Sequence, residues 1–251
     1  MRNIRVDEME KYIQKHETVS MTDLQKQFHT SLNTVRRDVS LLLKKGTVEK
    51  VYGGVCARAP GRLTPFEIRS DQNQQAKAAI SKRAADLVGD GEVIFLDSGT
   101  TVCQMVKYLQ PKRNITVITH SLEVINQAKD LSNITLIALP GQLNRQTGSF
   151  TGLDTERFLQ SYNIQKAFVA ATGFSLTNGI SNSSPLEYEL KKTVIARSEI
   201  AYLLIDTAKF GKTGLQTYAS VDDFYGLITE KEPEQVFTDE IAKSGCSIIL
   251  A

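Results

Sequence analysis

Two groups of residues in this 251-residue chain have types and spacing suited to binding chemistry. The first group, near the N-terminus, combines two adjacent arginines with amide and hydroxyl side chains. Its members are Ser31, Asn33, Thr34, Arg36, Arg37, Ser40, Lys50 and Tyr52. An arginine can donate two hydrogen bonds to guanine, an asparagine can pair with adenine, and hydroxyls beside a helix N-terminus suit phosphate oxygens. The group therefore predicts contact with double-stranded DNA.

The second group consists of polar and small residues that mostly follow short apolar runs later in the chain. Its members are Asp97, Ser98, Gly99, Thr100, Thr101, Thr119, His120, Ser121, Gly141, Arg145, Gly152, Thr172, Gly173, Glu187 and Lys209. Residues 97–101 read DSGTT, in which the glycine permits a tight turn and three hydroxyls can surround a phosphate. The chain has neither a P-loop sequence nor GxGxxG, which argues against a nucleotide. We expect a small phosphorylated or polyhydroxy ligand at this group.

Apolar spacing near the N-terminus predicts three helices that position the first group. They cover about residues 5–15, a short segment that begins after Ser20, and a segment that begins after Ser31 and ends at Gly46. The third helix has one buried stripe, formed by Leu32, Val35, Val39 and Leu42. That stripe leaves Arg36 and Arg37 facing outward. We expect Asp38 to orient one of these arginines through a local ion pair.

A wing is expected after the third helix, because residues 47–52 alternate and are followed by Gly53 and Gly54. Its Lys50 and Tyr52 would reach the DNA backbone. A winged helix-turn-helix over residues 1–57 is predicted from the order of the elements, which is a short helix, a turn, a capped basic helix and a hairpin. Charge supports this, because residues 1–60 hold 11 basic and 7 acidic residues, whereas the remainder holds 19 and 21. The alternative is a three-helix bundle whose arginines only face solvent.

An α/β domain is expected to position the second group. Residues 58–65, with adjacent Pro60 and Gly61, predict a linker, and residues 66–251 predict one further domain. A helical stretch at about 69–88 comes first, and apolar runs then alternate with helical patterns. The runs are 93–96, 115–119, 134–139, 167–171, 200–205 and 225–228, and the helical patterns lie at about 102–109, 122–129, 155–160, 185–197 and 234–243. This alternation predicts a mostly parallel sheet covered on both faces, with ligands beyond the carboxyl ends of its strands.

Both domains resemble the DeoR family of bacterial transcription regulators. The N-terminal match consists of SLNTVRRDV at 31–39 and the wing sequence YGGV at 52–55. The later matches are DSGTT at 97–101, THSL at 119–122, FTG at 150–152, AFV at 167–169 and DTAKFG at 206–211. The chain departs from the family pattern with His120 in place of asparagine, Pro-Gly-Gln at 140–142 in place of Gly-Gly, and Gln165 and Glu230 in place of aspartates.

The resemblance implies a sugar-phosphate-sensing second domain whose fold is like that of ribose-5-phosphate isomerases. The N-terminal segment is most similar to repressors of myo-inositol catabolism. The expected function is therefore repression of a carbohydrate catabolic operon for a sugar or polyol, with operator DNA and a phosphorylated sugar or sugar acid as partners. A homodimer or homotetramer is expected, because one short recognition helix reads few base pairs.

Two other classes of function are weighed against this one. An active sugar-phosphate isomerase or deaminase with a DNA-binding head would need a base and an electrophilic stabiliser, roles open to Asp97, Glu187 and Lys209. No spacing requires catalysis, so we expect a sensor that is not an enzyme. A structural nucleoid protein would need no polar ligand site.

Composition indicates a cytoplasmic protein without a metal or other cofactor. The three cysteines lie far apart and form no CxxC pair, and the three histidines are also scattered. No stretch approaches the roughly 18 apolar residues of a membrane span. Residues 1–7 lack the apolar segment of a secretory signal.

Overall fold

The computed structural model describes residues 2–57 and 64–251. Contacts divide the chain into two units, Met1–Gln72 and Asn73–Ala251. The sequence analysis placed a linker at 58–65, and residues 58–63 of that linker lie outside the described part of the chain.

The first unit consists of short helices and a small antiparallel sheet. Its elements are α1 (Arg2–His16), β1 (Thr18–Ser20), α2 (Met21–Gln27), α3 (Leu32–Lys45), β2 (Val48–Val51), β3 (Gly54–Ala57) and α4 (Phe66–Ser70). The predicted caps are confirmed, because Ser20 and Ser31 accept bonds from the Asp23 and Thr34 amides, and Gly46 adopts φ 75° at the end of α3. The three helices and the wing are therefore confirmed.

The wing has one strand more than predicted. Its strand order is β1-β3-β2, with Val19 of β1 opposite Val55 of β3. Three residues are too few to produce a readable alternation, so the sequence did not indicate β1. Gly54 permits the close approach of the two strands, because a Cβ at this position would lie 2.3 Å from the Val19 carbonyl oxygen.

The helical stretch predicted at 69–88 is two helices in the structure. The first is α4 in the first unit, and the second is α5 (Gln74–Asp86) at the start of the second unit. Residues 71–73 separate them, and Asn73, with a left-handed φ of 51°, directly precedes α5 and prevents one continuous right-handed helix. The sequence missed this break because asparagine is only one of several residues that tolerate such a conformation.

The second unit is built on a seven-stranded sheet in which every strand pair is parallel. Its strands are β4 (Val93–Leu96), β5 (Ile115–Thr119), β6 (Ile134–Ala138), β9 (Ile164–Ala170), β12 (Ser198–Leu204), β14 (Gly226–Thr229) and β15 (Ser247–Leu250), in the order β15-β14-β12-β9-β4-β5-β6. Successive residues Ile94, Phe95 and Leu96 are all buried, so both faces of β4 are covered. The predicted fold class is confirmed, and only the edge strand β15 was missed.

Helices and small sheets connect these strands. The helices are α6 (Leu122–Ala128), α7 (Leu153–Leu159), α8 (Tyr188–Arg197) and α9 (Gln235–Ser244), together with a 3-10 helix at Val102–Tyr108 and shorter 3-10 turns that include Pro185–Glu187. Two antiparallel sheets were not predicted: a hairpin of β7 (Gln142–Asn144) and β8 (Ser149–Thr151), and a sheet of β10 (Gly173–Ser175), β11 (Gly179–Asn182) and β13 (Gln216–Ala219). Across the described ranges, the helices are too short or too polar to cross a membrane.

Candidate DNA-binding surface and candidate effector site

Helix α3 exposes most of the first predicted group. Asn33, Arg36 and Arg37 are exposed, and Val35 and Val39 on the opposite side are buried in the core of the first unit. The Ser31 hydroxyl caps the helix, and the Ser40 hydroxyl donates to the Arg36 carbonyl at 2.7 Å. The half-buried Thr34 lies in hydrogen-bond contact with Ser31 at 2.9 Å. The free face of α3 is thus basic at its first two turns.

The expected role of Asp38 is wrong. Its carboxylate is buried and accepts a hydrogen bond of 2.7 Å from Arg5 of α1, and not from Arg36 or Arg37. Successive side chains on a helix are rotated by about 100°. Asp38 therefore points into the helical bundle, whereas Arg37 points toward solvent. Asp38 therefore joins α1 to α3 and leaves both arginines available.

The wing presents the remaining two predicted residues. Lys50 lies exposed on β2, and Tyr52 is fully exposed in the turn, next to Gly53 with φ 78°. The full exposure of Tyr52 leaves its ring and hydroxyl accessible to a partner that contacts the wing.

At the carboxyl end of the large sheet, a buried ion pair holds the first residue after β4. Asp97 Oδ2 accepts a hydrogen bond of 2.9 Å from the Ala170 amide and one of 2.5 Å from Lys191 Nζ of α8. Lys191 also donates to the Ala170 carbonyl at 2.9 Å, and its ammonium lies 5.3 Å from the centre of the Tyr218 ring. Both charged side chains are at most 3% exposed.

Lys191 is a residue that the sequence analysis missed. A signal was present, because Lys191 and Val194 are three residues apart and share the buried side of α8 with Leu190. A lysine on a buried, apolar helix face needs an anionic partner, because an unpaired buried charge is costly. Its partner, however, is 94 positions away in sequence. The pairing itself could therefore not be predicted from the sequence.

His120 follows β5 and lies beside the same ion pair. Its ring is fully buried, with Nε2 3.6 Å from Asp97 Oδ1 and 3.9 Å from Glu187 Oε1. Burial lowers the pKa of His120 below its ordinary value; Lys191 lowers it further, and the attraction of the two carboxylates does not reverse this. The imidazole is therefore neutral near pH 7.

Glu187, directly before α8, accepts hydrogen bonds from three neutral side chains. Ser98 and Ser149 donate to Oε1 at 2.9 and 2.7 Å, and Asn182 donates to Oε2 at 2.9 Å. The sequence analysis predicted Glu187 and Ser98, but not Ser149 or Asn182. We call Asp97, His120, Asn182, Glu187 and Lys191 the buried polar cluster.

Several predicted hydroxyls have structural roles at this edge of the sheet. Thr119 donates to the Leu96 carbonyl at 2.7 Å and accepts from the Ser121 amide, while the Ser121 hydroxyl caps α6. Thr100 and Thr101 are buried, and Thr101 Oγ1 has no hydrogen-bond partner within the described ranges. Gly99 lies against Ala170, where a Cβ would be only 2.3 Å from the alanine Cβ.

The other predicted residues surround the buried polar cluster to different degrees. Thr172 reaches Asn182 at 3.3 Å, and Lys209 donates to the Ala171 carbonyl at 2.9 Å, 3.8 Å from Asp206. Gly173 follows as the first residue of β10. The hairpin β7–β8 carries the last three: Gly141 and Gly152 flank it, and the exposed Arg145 lies in its turn. The structure thus brings Asp97, Ser98, His120 and Glu187 together, but not Arg145.

Comparison with known proteins covers almost the whole chain. A family model for the DeoR-like helix-turn-helix domain matches residues 5–59, and one for the DeoR C terminal sensor domain matches residues 72–231. The HTH-type transcriptional regulator IolR of Bacillus subtilis is 43% identical over 100% of both chains. The L-fucose operon activator of Haemophilus influenzae is 30% identical over 91% of this chain and 92% of its own.

Among solved structures, a ribose 5-phosphate isomerase A from Methanocaldococcus jannaschii is 22% identical over 55% of each chain, with a TM-score of 0.40. That likeness is too weak to assign an activity, and the curated relatives, which are regulators, give the isomerase alternative no support. The expected family is confirmed by both domain models and by the full-length relative. The chain belongs to the DeoR family of transcriptional regulators.

Proposed function

We propose that the chain represses a carbohydrate catabolic operon by binding its operator through α3 and the wing. The observation that supports this most directly is the exposed set of Asn33, Arg36 and Arg37 on a capped helix whose other side is buried. A single helix of this length reads few base pairs, so a homodimer or homotetramer would place two such helices on paired half-sites. The resemblance of the N-terminal segment to repressors of myo-inositol catabolism favours polyol catabolism as the regulated process.

The effector in this proposal is a phosphorylated sugar or sugar acid bound at the carboxyl end of the large sheet. Support comes from two predicted residues with buried carboxylates, Asp97 and Glu187, which lie beside the predicted His120. Binding of the effector would weaken the operator complex if the effector binds more tightly to the arrangement that cannot hold DNA. Such a response would derepress the operon when its substrate is available.

The test combines selection of DNA with a screen of effectors. Full-length protein would select its binding sequence from random duplexes, and fluorescence anisotropy would give the dissociation constant. Phosphorylated sugars and sugar acids would then be screened for release of this DNA. Failure to select any sequence would contradict the DNA-binding proposal, and release by none of the compounds would contradict the effector class.

Replacing Thr100 with valine is expected to reduce the response to the effector found in that screen. The substitution removes one buried hydroxyl from DSGTT while keeping the shape of the side chain. The measurement is the ratio of operator dissociation constants with and without effector, which should fall toward one. Thr135→Val, at an exposed position on the edge strand β6, is the matched control. An unchanged ratio in Thr100→Val would remove this loop from the site.

A further inference from the structure

The buried polar cluster contains donors and acceptors that converge without bonding one another. Both nitrogens of His120 lack a hydrogen-bond partner among the residues that the structure describes, and so does Asp97 Oδ1. The distances of 3.6 and 3.9 Å from His120 Nε2 to the Asp97 and Glu187 oxygens exceed those of hydrogen bonds. Phe95 stacks on the imidazole with ring centres 5.7 Å apart and fixes its plane. An unpartnered buried polar group is costly, so these atoms point to a ligand.

The charge of the cluster opposes an anionic ligand group. The charged side chains that act on His120 are Asp97, Glu187 and Lys191, and His120 itself is neutral. Lys191 is already committed to Asp97. The charge of Lys191 balances that of Asp97. The charge of Glu187 is not balanced, so the cluster has one net negative charge. A phosphate brought here would face a buried carboxylate held only by neutral donors.

Hydroxyl groups match the same atoms well. Each hydroxyl offers one donor and two acceptor lone pairs, and a neutral imidazole offers one donor and one acceptor. A carboxylate has about four acceptor positions, so Glu187, with three bonds, can take one more. Neighbouring hydroxyls of a polyol can therefore donate to Asp97 and Glu187 while accepting from His120.

The hairpin β7–β8 closes this cluster from solvent. The Phe150 amide donates to the His120 carbonyl at 2.8 Å, and the Ser149 hydroxyl donates to Glu187. Gly141 and Gly152 flank the hairpin with φ of 151° and 145°, values that other residues rarely adopt. The hairpin therefore contacts both His120 and Glu187, and a hydrogen bond to a ligand in so buried a place is stronger than one in water.

We propose that the buried polar cluster is the subsite for the unphosphorylated, hydroxyl-bearing end of the effector. The phosphate then lies outside it, toward Gly99–Thr101 and Lys209. This inference rests on the proposed function, because it assigns an orientation to the same ligand. It also makes His120 and Glu187 the residues that distinguish one sugar phosphate from another of equal charge.

The test uses Glu187→Gln in the full-length protein and a panel of probes measured by isothermal titration calorimetry. The panel contains glucose 6-phosphate, fructose 6-phosphate, glucitol 6-phosphate and ribose 5-phosphate, with inorganic phosphate beside them. Loss of a charge-assisted hydrogen bond should weaken the tightest sugar phosphate by about ten-fold relative to inorganic phosphate. A phosphate seated in the cluster would give the opposite sign, because Glu187→Gln removes its repulsion.

Each outcome of these titrations either supports or overturns the proposed orientation of the effector. Unchanged or tighter binding of the sugar phosphate by a folded Glu187→Gln protein overturns it. If that variant does not fold, as judged by its melting temperature and operator binding, His120→Asn replaces it with the same expected loss. If no panel member binds wild-type protein that still binds operator DNA, the proposed effector class fails, and the orientation fails with it. Weaker binding of the sugar phosphate relative to inorganic phosphate in the folded variant supports the proposal.

Discussion

Replacing Lys191 with methionine is expected to lower the free energy of unfolding of the second unit by about 3–5 kcal/mol. The substitution keeps most of the side-chain volume but leaves Asp97 as a buried carboxylate without its ammonium partner. The Ala170 amide would still donate to Asp97, but one neutral donor does not compensate a buried charge. This loss should make Lys191→Met one of the most destabilising single changes in the unit.

The measurement has to report on the second unit alone, because the chain has two units that need not unfold together. Hydrogen exchange of the β4 and β9 amides as a function of urea gives its opening free energy directly. Lys243→Met is the matched control, since that lysine is 75% exposed and pairs with Glu240 at the surface. Asp97→Asn added to Lys191→Met should recover much of the loss. Equal, small effects of Lys191→Met and Lys243→Met would contradict the buried ion pair.

The stability difference between wild type and Lys191→Met is also expected to depend on pH. Burial raises the pKa of Asp97, but the attraction and hydrogen bond of Lys191 more than offset it, so that pKa lies below its ordinary value. A carboxyl group with a lowered pKa stabilises the fold above its ordinary pKa, about 3.9, and loses that contribution as pH falls through the folded-state pKa. In Lys191→Met the burial remains without the ammonium, so the pKa of Asp97 in that variant lies above its ordinary value. The difference between wild type and Lys191→Met should therefore begin to shrink as pH falls through this raised pKa, and should go on shrinking down to the lowered pKa of wild type.

The strands of the second unit differ in how well the sequence predicts them. Six of the seven strands were predictable because buried parallel strands are continuous apolar runs, as in Val93–Leu96. Strand β15 was not, since two of its four residues are exposed and the other two are half-buried at the sheet edge. The three- and four-residue strands of the small sheets carry too few residues for a periodic pattern.

The candidate site was predictable as a set of positions but not as a set of contacts. Asp97, His120 and Glu187 follow strands or precede a helix, and that placement is visible in sequence. Their partners come from distant segments, such as Lys191 for Asp97, and nothing local specifies them. Asp38 shows the converse error, because adjacency to Arg37 suggested a pair that helix geometry forbids.

Replacing Arg37 with alanine is expected to weaken operator binding by about 1–3 kcal/mol if its guanidinium reads a base. Arg37 is exposed in the second turn of α3, and Asp38 does not hold it because that carboxylate is bonded to Arg5. A free guanidinium at the N-terminal part of a recognition helix can reach two acceptors of guanine. The measurement is the dissociation constant of the selected operator and of operators with single base-pair changes.

Two comparisons separate base reading from loss of charge. Arg157→Ala, at an exposed position on α7 in the second unit, removes the same charge and should change operator affinity little. A base-reading arginine relaxes specificity at one base pair, whereas a phosphate contact weakens all sequences alike and lowers the salt dependence by about one unit. Uniform weakening by Arg37→Ala would therefore reassign it to the DNA backbone. Unaltered operator affinity in both Arg36→Ala and Arg37→Ala would refute α3 as the recognition helix, because no other exposed residues of its first two turns can donate twice to a guanine edge.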